Sequence, residues 1–255
     1  MMRLRVAAGL IGAAGFLAVA APITAAARRV GLRRGPAASV ALHRWLCAVL
    51  GVRLRRFGAP VPGRRLIVAN HVSWLDILAL GAMEPMAFLA KKEIGASRWT
   101  RWLVELQGVV YVDRQRRRCI PAVNADMSRR MAAGQSIVLF AEATTSDGTR
   151  VLRFRSSHFE AARRAGAYVQ PVYLDYRALA GLAATRHDRT TPAWYGDMTF
   201  LPSLGRVLQS GGVSCDVWYG EPIPSDAAPD RKALARQVEA ATRALKARAR
   251  SAAVA

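Results

Sequence analysis

From residue 65 onward the chain alternates short apolar runs with longer segments of helical period, and this alternation limits the fold more than any other feature. Runs at Arg65–Ala69, Ala87–Ala90, Val109–Val112, Ile137–Phe140, Val169–Leu174 and Val213–Tyr219 read as buried strands. Helical patterns near Leu75–Ala82, Arg98–Leu106, Pro121–Ala133, Ser157–Ala165 and Arg231–Ala247 lie between and after them. Strands separated by helix-length segments cannot all pair as hairpins, so most must be joined by crossovers that lay helices on the sheet. The expected fold class is therefore α/β, a mixed sheet flanked by helices, with reactive side chains at the strand ends. A chain of 255 residues suffices for one such domain, and 52% apolar residues supply its core. No internal repeat is visible. Ala180 to Pro202 has no clear period and is expected to be a long functional loop.

Ahead of this domain, Val6 to Ala27 contains no charged residue and is flanked by Arg3 and Arg5 before and Arg28, Arg29, Arg33 and Arg34 after. As a helix it would reach about 33 Å, enough for a hydrocarbon core of about 30 Å. It reads as an N-terminal apolar membrane helix; a cleaved secretory signal ending near Thr24-Ala25-Ala26-Ala27 is the alternative. The arginines after the segment would stay on the cytoplasmic side, so the catalytic domain is expected at the membrane and facing the cytoplasm. Pro36 to Gly51, with His43, Arg44 and Trp45 and a basic flank at Arg53, Arg55 and Arg56, suits a helix at the membrane interface or one packed on the domain. Gly58-Ala59-Pro60-Val61-Pro62-Gly63 then punctuates the chain. The expected organisation is an anchor over 1–35, an interfacial helix and linker over 36–58, and the catalytic domain over 59–255.

The net charge of +21 favours anionic partners: lipid headgroups, a membrane surface, nucleotide-bearing substrates or nucleic acid. Nucleic acid fits poorly, because the arginines are scattered and neither zinc spacing nor an aromatic-basic motif is present. Part of the arginine excess, 34 Arg against 4 Lys, is what a GC-rich genome would produce. Cys47, Cys119 and Cys215 are odd in number, far apart and without a C-x-x-C. They predict a reducing compartment and small core residues, with no disulfide framework and no metal site.

The chemistry is concentrated in Asn70-His71-Val72-Ser73-Trp74-Leu75-Asp76, directly after the Arg65–Ala69 strand. Five residues on a straight helix turn a side chain by about 500°, so His71 and Asp76 can meet only if His71 sits in the turn before the helix. Ser73 as a cap with an acid three positions on supplies the helix start. Asp76 would then hold one imidazole nitrogen while the other takes a proton from an attacking hydroxyl. The hydroxyl belongs to the substrate, so no protein nucleophile is required. A capping Asp and a loop His would leave the same trace in the sequence, and the pair gains meaning from three segments further along the chain.

Asn-His-x-Ser-x-x-Asp after a strand resembles the first block of the glycerolipid acyltransferases, the lysophosphatidic acid acyltransferase-like family. Three later segments resemble that family's other blocks in order. They are Gly108-Val109-Val110-Tyr111-Val112-Asp113-Arg114, Phe140-Ala141-Glu142-Ala143-Thr144, and Val169-Gln170-Pro171-Val172. The match runs from about residue 65 to 175. The resemblance implies His71 and Asp76 as catalytic residues, with Arg114, Glu142 and Thr144 at the acceptor and its phosphate. Asn70, Ser73, Gly108 and Pro171 are implied as supporting residues. It also implies a lysolipid acceptor, lysophosphatidic acid first, and a thioester donor, acyl-CoA or acyl carrier protein, with no cofactor. Pro171 within a strand suggests an edge or a bulge.

The third block departs from the family pattern. Ala141 and Ala143 replace Pro and Gly, so the turn lacks glycine's conformational freedom. Thr145 stands where the family has an arginine, and Arg150 or Arg153 would have to fill that volume. The run from Thr144 to Leu152, with Trp194-Tyr195-Gly196-Asp197-Met198, is similar to the lyso-ornithine lipid acyltransferases within the family. Their acceptor carries an amino acid headgroup, for which Asp147 and Asp197 are candidate contacts. A non-catalytic membrane lipid carrier of the same shape is the alternative from a different class.

Overall fold

The structure, a computed structural model, describes residues 36–91, 110–112, 119–179, 182–183 and 190–252. The expected membrane helix, the Arg98–Leu106 helix, Gly108 and Arg114 lie outside the described residues. No helix among the described residues is long and apolar enough to cross a membrane. The strands are β1 (Val52–Phe57), β2 (Arg65–Ala69), β3 (Ala87–Lys91), β4 (Val110–Val112), β5 (Ile137–Phe140), β6 (Tyr168–Leu179), β7 (Leu182–Ala183), β8 (Val213–Tyr219) and β9 (Ile223–Pro224). The helices are α1 (Pro36–Leu50), α2 (Leu75–Met83), α3 (Ile120–Ala132), α4 (Phe159–Ala165), α5 (Phe200–Gln209) and α6 (Arg231–Ser251).

The sheet runs β1-β8-β6-β2-β5-β3-β4, with β7 and β9 also paired to β6. From β6 to β4 the neighbours are parallel; β8 is antiparallel to β6 and carries β1 parallel to itself. The mixed α/β sheet expected from the apolar runs is therefore present. Every residue of β2 and β5 is buried, as a parallel strand covered on both faces requires. The pleat divides β2 between two cores. Leu66 and Val68 face Met127 and Met131 of α3, Phe159 of α4, and Leu234 and Val238 of α6. Ile67 and Ala69 face Cys47 of α1, Leu75 and Leu80 of α2, and Val207 of α5. Each fully buried aliphatic side chain of this kind contributes about 1.5–3 kcal/mol relative to exposure. An Ile67→Asp change would place an unpaired charge among them.

Residues 52–57, expected within a basic linker, instead form β1 and pair along their whole length with β8. Arg53, Arg55 and Arg56 hid the strand. Arg55 of this flank gives both Nε and Nη2 to Asp216 of β8 at 2.8 and 2.9 Å, while Arg177 of β6 reaches the same buried carboxylate at 2.8 Å. Helix α1 packs along α2. Arg44 Nε donates to the Ala82 carbonyl at 2.9 Å, and a Cβ at Gly81 would lie 2.6 Å from the buried His43 ring. Only glycine allows the two helices to come this close.

Of the edge or bulge expected at Pro171, the edge is absent. β6 is central, between β2 on one side and β8 and β9 on the other, so Pro171 is on no edge. Its missing N–H falls where β6 changes partner, between the Val169–Ile223 pair with β9 and the Val172–Tyr219 pair with β8. The buried Gln170 amide bridges that gap, donating to Ala59 and Gly220 carbonyls and accepting from Val61 N–H. Cys47 and Cys215 are buried and Cys119 partly so, all three as free thiols.

Candidate active site

β2 ends at Ala69, opposite Val172 of β6. Beyond that point Asn70 continues the ladder with its side chain: Oδ1 accepts from Leu174 N–H at 2.8 Å and Nδ2 donates to the Leu174 carbonyl at 3.1 Å. The amide occupies the place of a peptide unit, which lets the backbone of His71, Val72 and Ser73 peel away from the sheet. Helix α2 then begins at Leu75. Trp74, and not Ser73, is its cap residue, in helical conformation and with no side-chain cap bond. Ser73 is fully buried, and its Oγ accepts from Leu75 N–H at 3.3 Å.

The acid half of the expected capping pattern is present and extended. Asp76 Oδ2 accepts from Ser73 N–H at 2.9 Å, Val72 N–H at 2.7 Å and His71 Nδ1 at 2.8 Å. A carboxylate can only accept, so Nδ1 carries the hydrogen and Nε2 is left as the imidazole's proton acceptor. Asp76 is sealed from solvent, while the His71 side chain is 17% exposed, so the ring reaches the surface and its anchor does not. Phe140, the last residue of β5, stacks on that ring with centroids 3.9 Å apart and an interplanar angle of 11°. The ring is thus fixed at one nitrogen and on one face.

Glu142 lies at the mouth of the same sheet, two residues past β5, and is buried. Its Oε2 accepts from His71 N–H at 3.3 Å and its Oε1 from Leu152 N–H at 2.9 Å. Burial pushes its carboxyl up to about 7; the two backbone donors and Lys246 work against that rise, and the Asp76 charge adds to it. Glu142 therefore joins the catalytic turn to the loop from 143 to 153. Ser146 N–H donates to the His71 carbonyl at 2.9 Å, tying the loop down again. Gly148 comes so near Val72 that an added Cβ would lie 3.3 Å from a Val72 methyl. From α6, Lys246 Nζ donates to the carbonyls of Thr149 and Gly148. Desolvation lowers that ammonium to about 8; Arg250 lowers it further, while Asp175, Asp147 and Glu142 raise it. The expected long loop beyond Ala180 returns over the motif as well, with Trp194 N–H donating to the Val72 carbonyl at 2.8 Å.

The structure thus brings Asn70, His71, Ser73, Asp76 and Glu142 together. It leaves Thr144 exposed, its Oγ1 facing the Thr145 carbonyl at 3.5 Å. Arg150 and Arg153 are both exposed. Asp147 takes both the N–H and the hydroxyl of Thr149 on Oδ1, at 2.9 and 2.7 Å. Burial would raise its carboxyl, but the Thr149 donors with Arg150 and Lys246 hold it below the usual range. Asp197 is exposed. Among the described residues no group of three or more His, Cys, Asp or Glu is arranged to hold a metal ion. Sequence reasoning missed Lys246 and Tyr176, whose hydroxyl lies 2.6 Å from Asp76 Oδ1. The one trace of the latter is a polar-tipped aromatic on a buried strand, which needs a partner.

The region from 58 to 175 matches the Acyltransferase family model. The chain is 39% identical over 211 residues to a lyso-ornithine lipid O-acyltransferase of Brucella abortus, covering 80% of this chain and 79% of the relative. A 1-acyl-sn-glycerol-3-phosphate acyltransferase of Neisseria gonorrhoeae is 32% identical over 211 residues, covering 82% and 80%. The fold is shared with the crystal structure of the 1-acyl-sn-glycerophosphate acyltransferase of Thermotoga maritima, with a TM-score of 0.68 at 19% identity over 96% of this chain and 97% of that one. With His71, Asp76 and Glu142 joined in one site and relatives of this similarity along most of its length, the chain belongs to the acyltransferase family and is an O-acyltransferase.

Proposed function

We propose that the protein transfers a fatty acyl group from a thioester, acyl-CoA or acyl carrier protein, to the free hydroxyl of a lysolipid, with lyso-ornithine lipid as the acceptor. The observation that carries the chemistry is the His71 Nδ1 bond to Asp76 Oδ2, at 2.8 Å. His71 Nε2 takes the acceptor hydroxyl proton as the oxygen attacks the thioester carbonyl; Asp76 stabilises the imidazolium that forms. On collapse of the tetrahedral intermediate the C–S bond breaks, the ester forms, and the proton on Nε2 passes to the departing thiolate.

The acceptor assignment rests on relatives and on charge. Lyso-ornithine lipid O-acyltransferases of Brucella abortus and Rhizobium meliloti are 39% and 37% identical to the chain, against 32% for the Neisseria gonorrhoeae lysophosphatidate enzyme. The loop packed on the catalytic turn offers the Asp147 carboxylate, and Thr145 occupies the family's arginine position, which suits a cationic amino acid headgroup better than a phosphate. Lysophosphatidic acid is the second reading, favoured by Arg114 in the second block and by the Neisseria relative. We place the enzyme at the membrane, anchored through residues 1–35 with its domain in the cytoplasm, drawn to an anionic surface by the +21 charge.

The test offers purified full-length protein lyso-ornithine lipid and lysophosphatidic acid, each with acyl-CoA and with acyl carrier protein, beside His71→Ala. Diacylated ornithine lipid from the wild type and none from the variant is the expected result. Exclusive formation of phosphatidic acid would move the acceptor to the second reading, and equal product from both proteins would remove His71 from the mechanism.

A further inference from the structure

Asp76 is held on both oxygens, and the second oxygen is served from an unexpected place. Oδ2 is occupied by His71, Val72 and Ser73, all within the motif. Oδ1 receives the Tyr176 hydroxyl at 2.6 Å, a short bond between buried partners one hundred residues apart. Tyr176 stands on β6, four residues beyond Val172, where β2 has already ended. The extra length of β6 over β2 is therefore what brings a side chain alongside the first turn of α2. A break in register between Tyr176 and Ala178 comes at once, with Tyr176 still paired to Cys215 of β8. Bulges of this kind beside active sites aim side chains.

We infer that Tyr176 is a positioning residue of the reaction: its hydroxyl fixes the rotation of the Asp76 carboxylate and draws off part of its charge, which sets how firmly His71 holds a proton. The inference rests on the His71–Asp76 dyad proposed above. Without the hydroxyl, Oδ1 would lose the donor it has among the described residues, and the more basic carboxylate would retain a proton on the dyad to higher pH.

Among the described residues, other titratable groups act on the pair from β8, α1 and the loop after β5. From β8, Cys215 faces the pair, its thiol pushed well up by burial and by the negative charge of Asp76 with Asp175 and Asp216 behind it. From α1, Cys47 is pushed up to about 12 by burial. From the loop after β5, the Glu142 carboxylate feels the Asp76 charge and approaches through the His71 backbone. Neither thiol ionises in the neutral range. The Tyr176 phenol is itself raised well above its ordinary value, by burial first and then by Asp76, so it remains a donor at every pH at which the enzyme would be assayed.

Tyr176→Phe keeps the ring and removes the donor. The acid limb of kcat/KM is expected to move up by about one pH unit, with kcat on the plateau lower by roughly tenfold and KM for both substrates within about twofold. A ring-fluorinated tyrosine placed at position 176 keeps hydroxyl and volume, donates more strongly, and is expected to move the limb down. The same two shifts are read without turnover from the imidazole NMR titration of His71, assigned among the four histidines by its loss in His71→Ala. An unmoved limb and titration in the fluorinated protein overturn the inference even if Tyr176→Phe does not fold. Full activity in His71→Ala instead overturns the dyad itself, a separate failure.

Discussion

Asp76 and Glu142 are carboxylates buried to nearly the same depth, 0% and 3% exposed, on neighbouring turns at one edge of the sheet. Their hydrogen bonding differs. Asp76 gathers four donors, three on one oxygen and Tyr176 on the other. Glu142 has two backbone donors and sits beside the negative charge of Asp76, and burial pushes it up to about 7. Depth does not by itself decide what a buried carboxylate does; the number and direction of its donors decide. One of the pair is a fixed anchor for an imidazole, and the other is a brace that titrates near neutrality.

The sharpest way to break this contrast is Asp76→Asn. The amide would turn an N–H toward donors already pointing inward and could no longer hold His71 in its tautomer. A fall in kcat of about 10³–10⁴ is expected in initial-rate assays of the purified protein. A loss below about tenfold would mean that the anchor is structural only.

Glu142→Gln tests the other side, through stability. Since burial raises Glu142 from 4.5 to about 7, the folded protein holds a proton there that the unfolded chain releases. The associated stabilisation is complete below about pH 4.5 and is lost as pH rises through about 7, a difference of about 3 kcal/mol at most. Urea titrations at pH 5 and pH 8 should therefore show the wild type losing stability relative to the variant. Equal pH dependence in the two proteins would place Glu142 outside this description.

The smallest effect belongs to the turn that carries Glu142. Ala143 adopts φ +59°, the left-handed conformation that glycine takes at little cost, and its N–H still donates to the Phe140 carbonyl. An alanine in this conformation carries a strain of about 1–2 kcal/mol. Ala143→Gly should raise stability by roughly 0.5 kcal/mol after the added freedom of the unfolded chain is subtracted, read as a higher urea midpoint.

These groups also show how far the sequence could be read. Leu66 to Ala69 and Ile137 to Phe140 were legible as strands because burial on both faces leaves an unbroken apolar run. Val52–Phe57 was not, because an edge strand with Arg53, Arg55 and Arg56 has the composition of a linker. Pro171 read as an edge or a bulge, since a run of residues does not show that β6 exchanges β9 for β8 at that point. His71 and Asp76 were legible as a pair through the three later segments that resemble the family's blocks, since their spacing alone also fits a capping Asp and a loop His.

By itself, then, the sequence determined the local chemistry: an imidazole, a carboxylate in reach of it, and apolar strands that place both at a sheet edge. Those are short-range properties, set by spacing and by side-chain period. Only the tertiary structure decided which groups complete the site. Tyr176 reaches Asp76 because β6 outlasts β2 in a fixed register, Glu142 reaches the His71 backbone because β5 lies beside β2, and Lys246 grips the covering loop from a helix near the far end of the chain. Contacts between residues seventy to one hundred positions apart depend on strand order and register, and neither is encoded in any one segment.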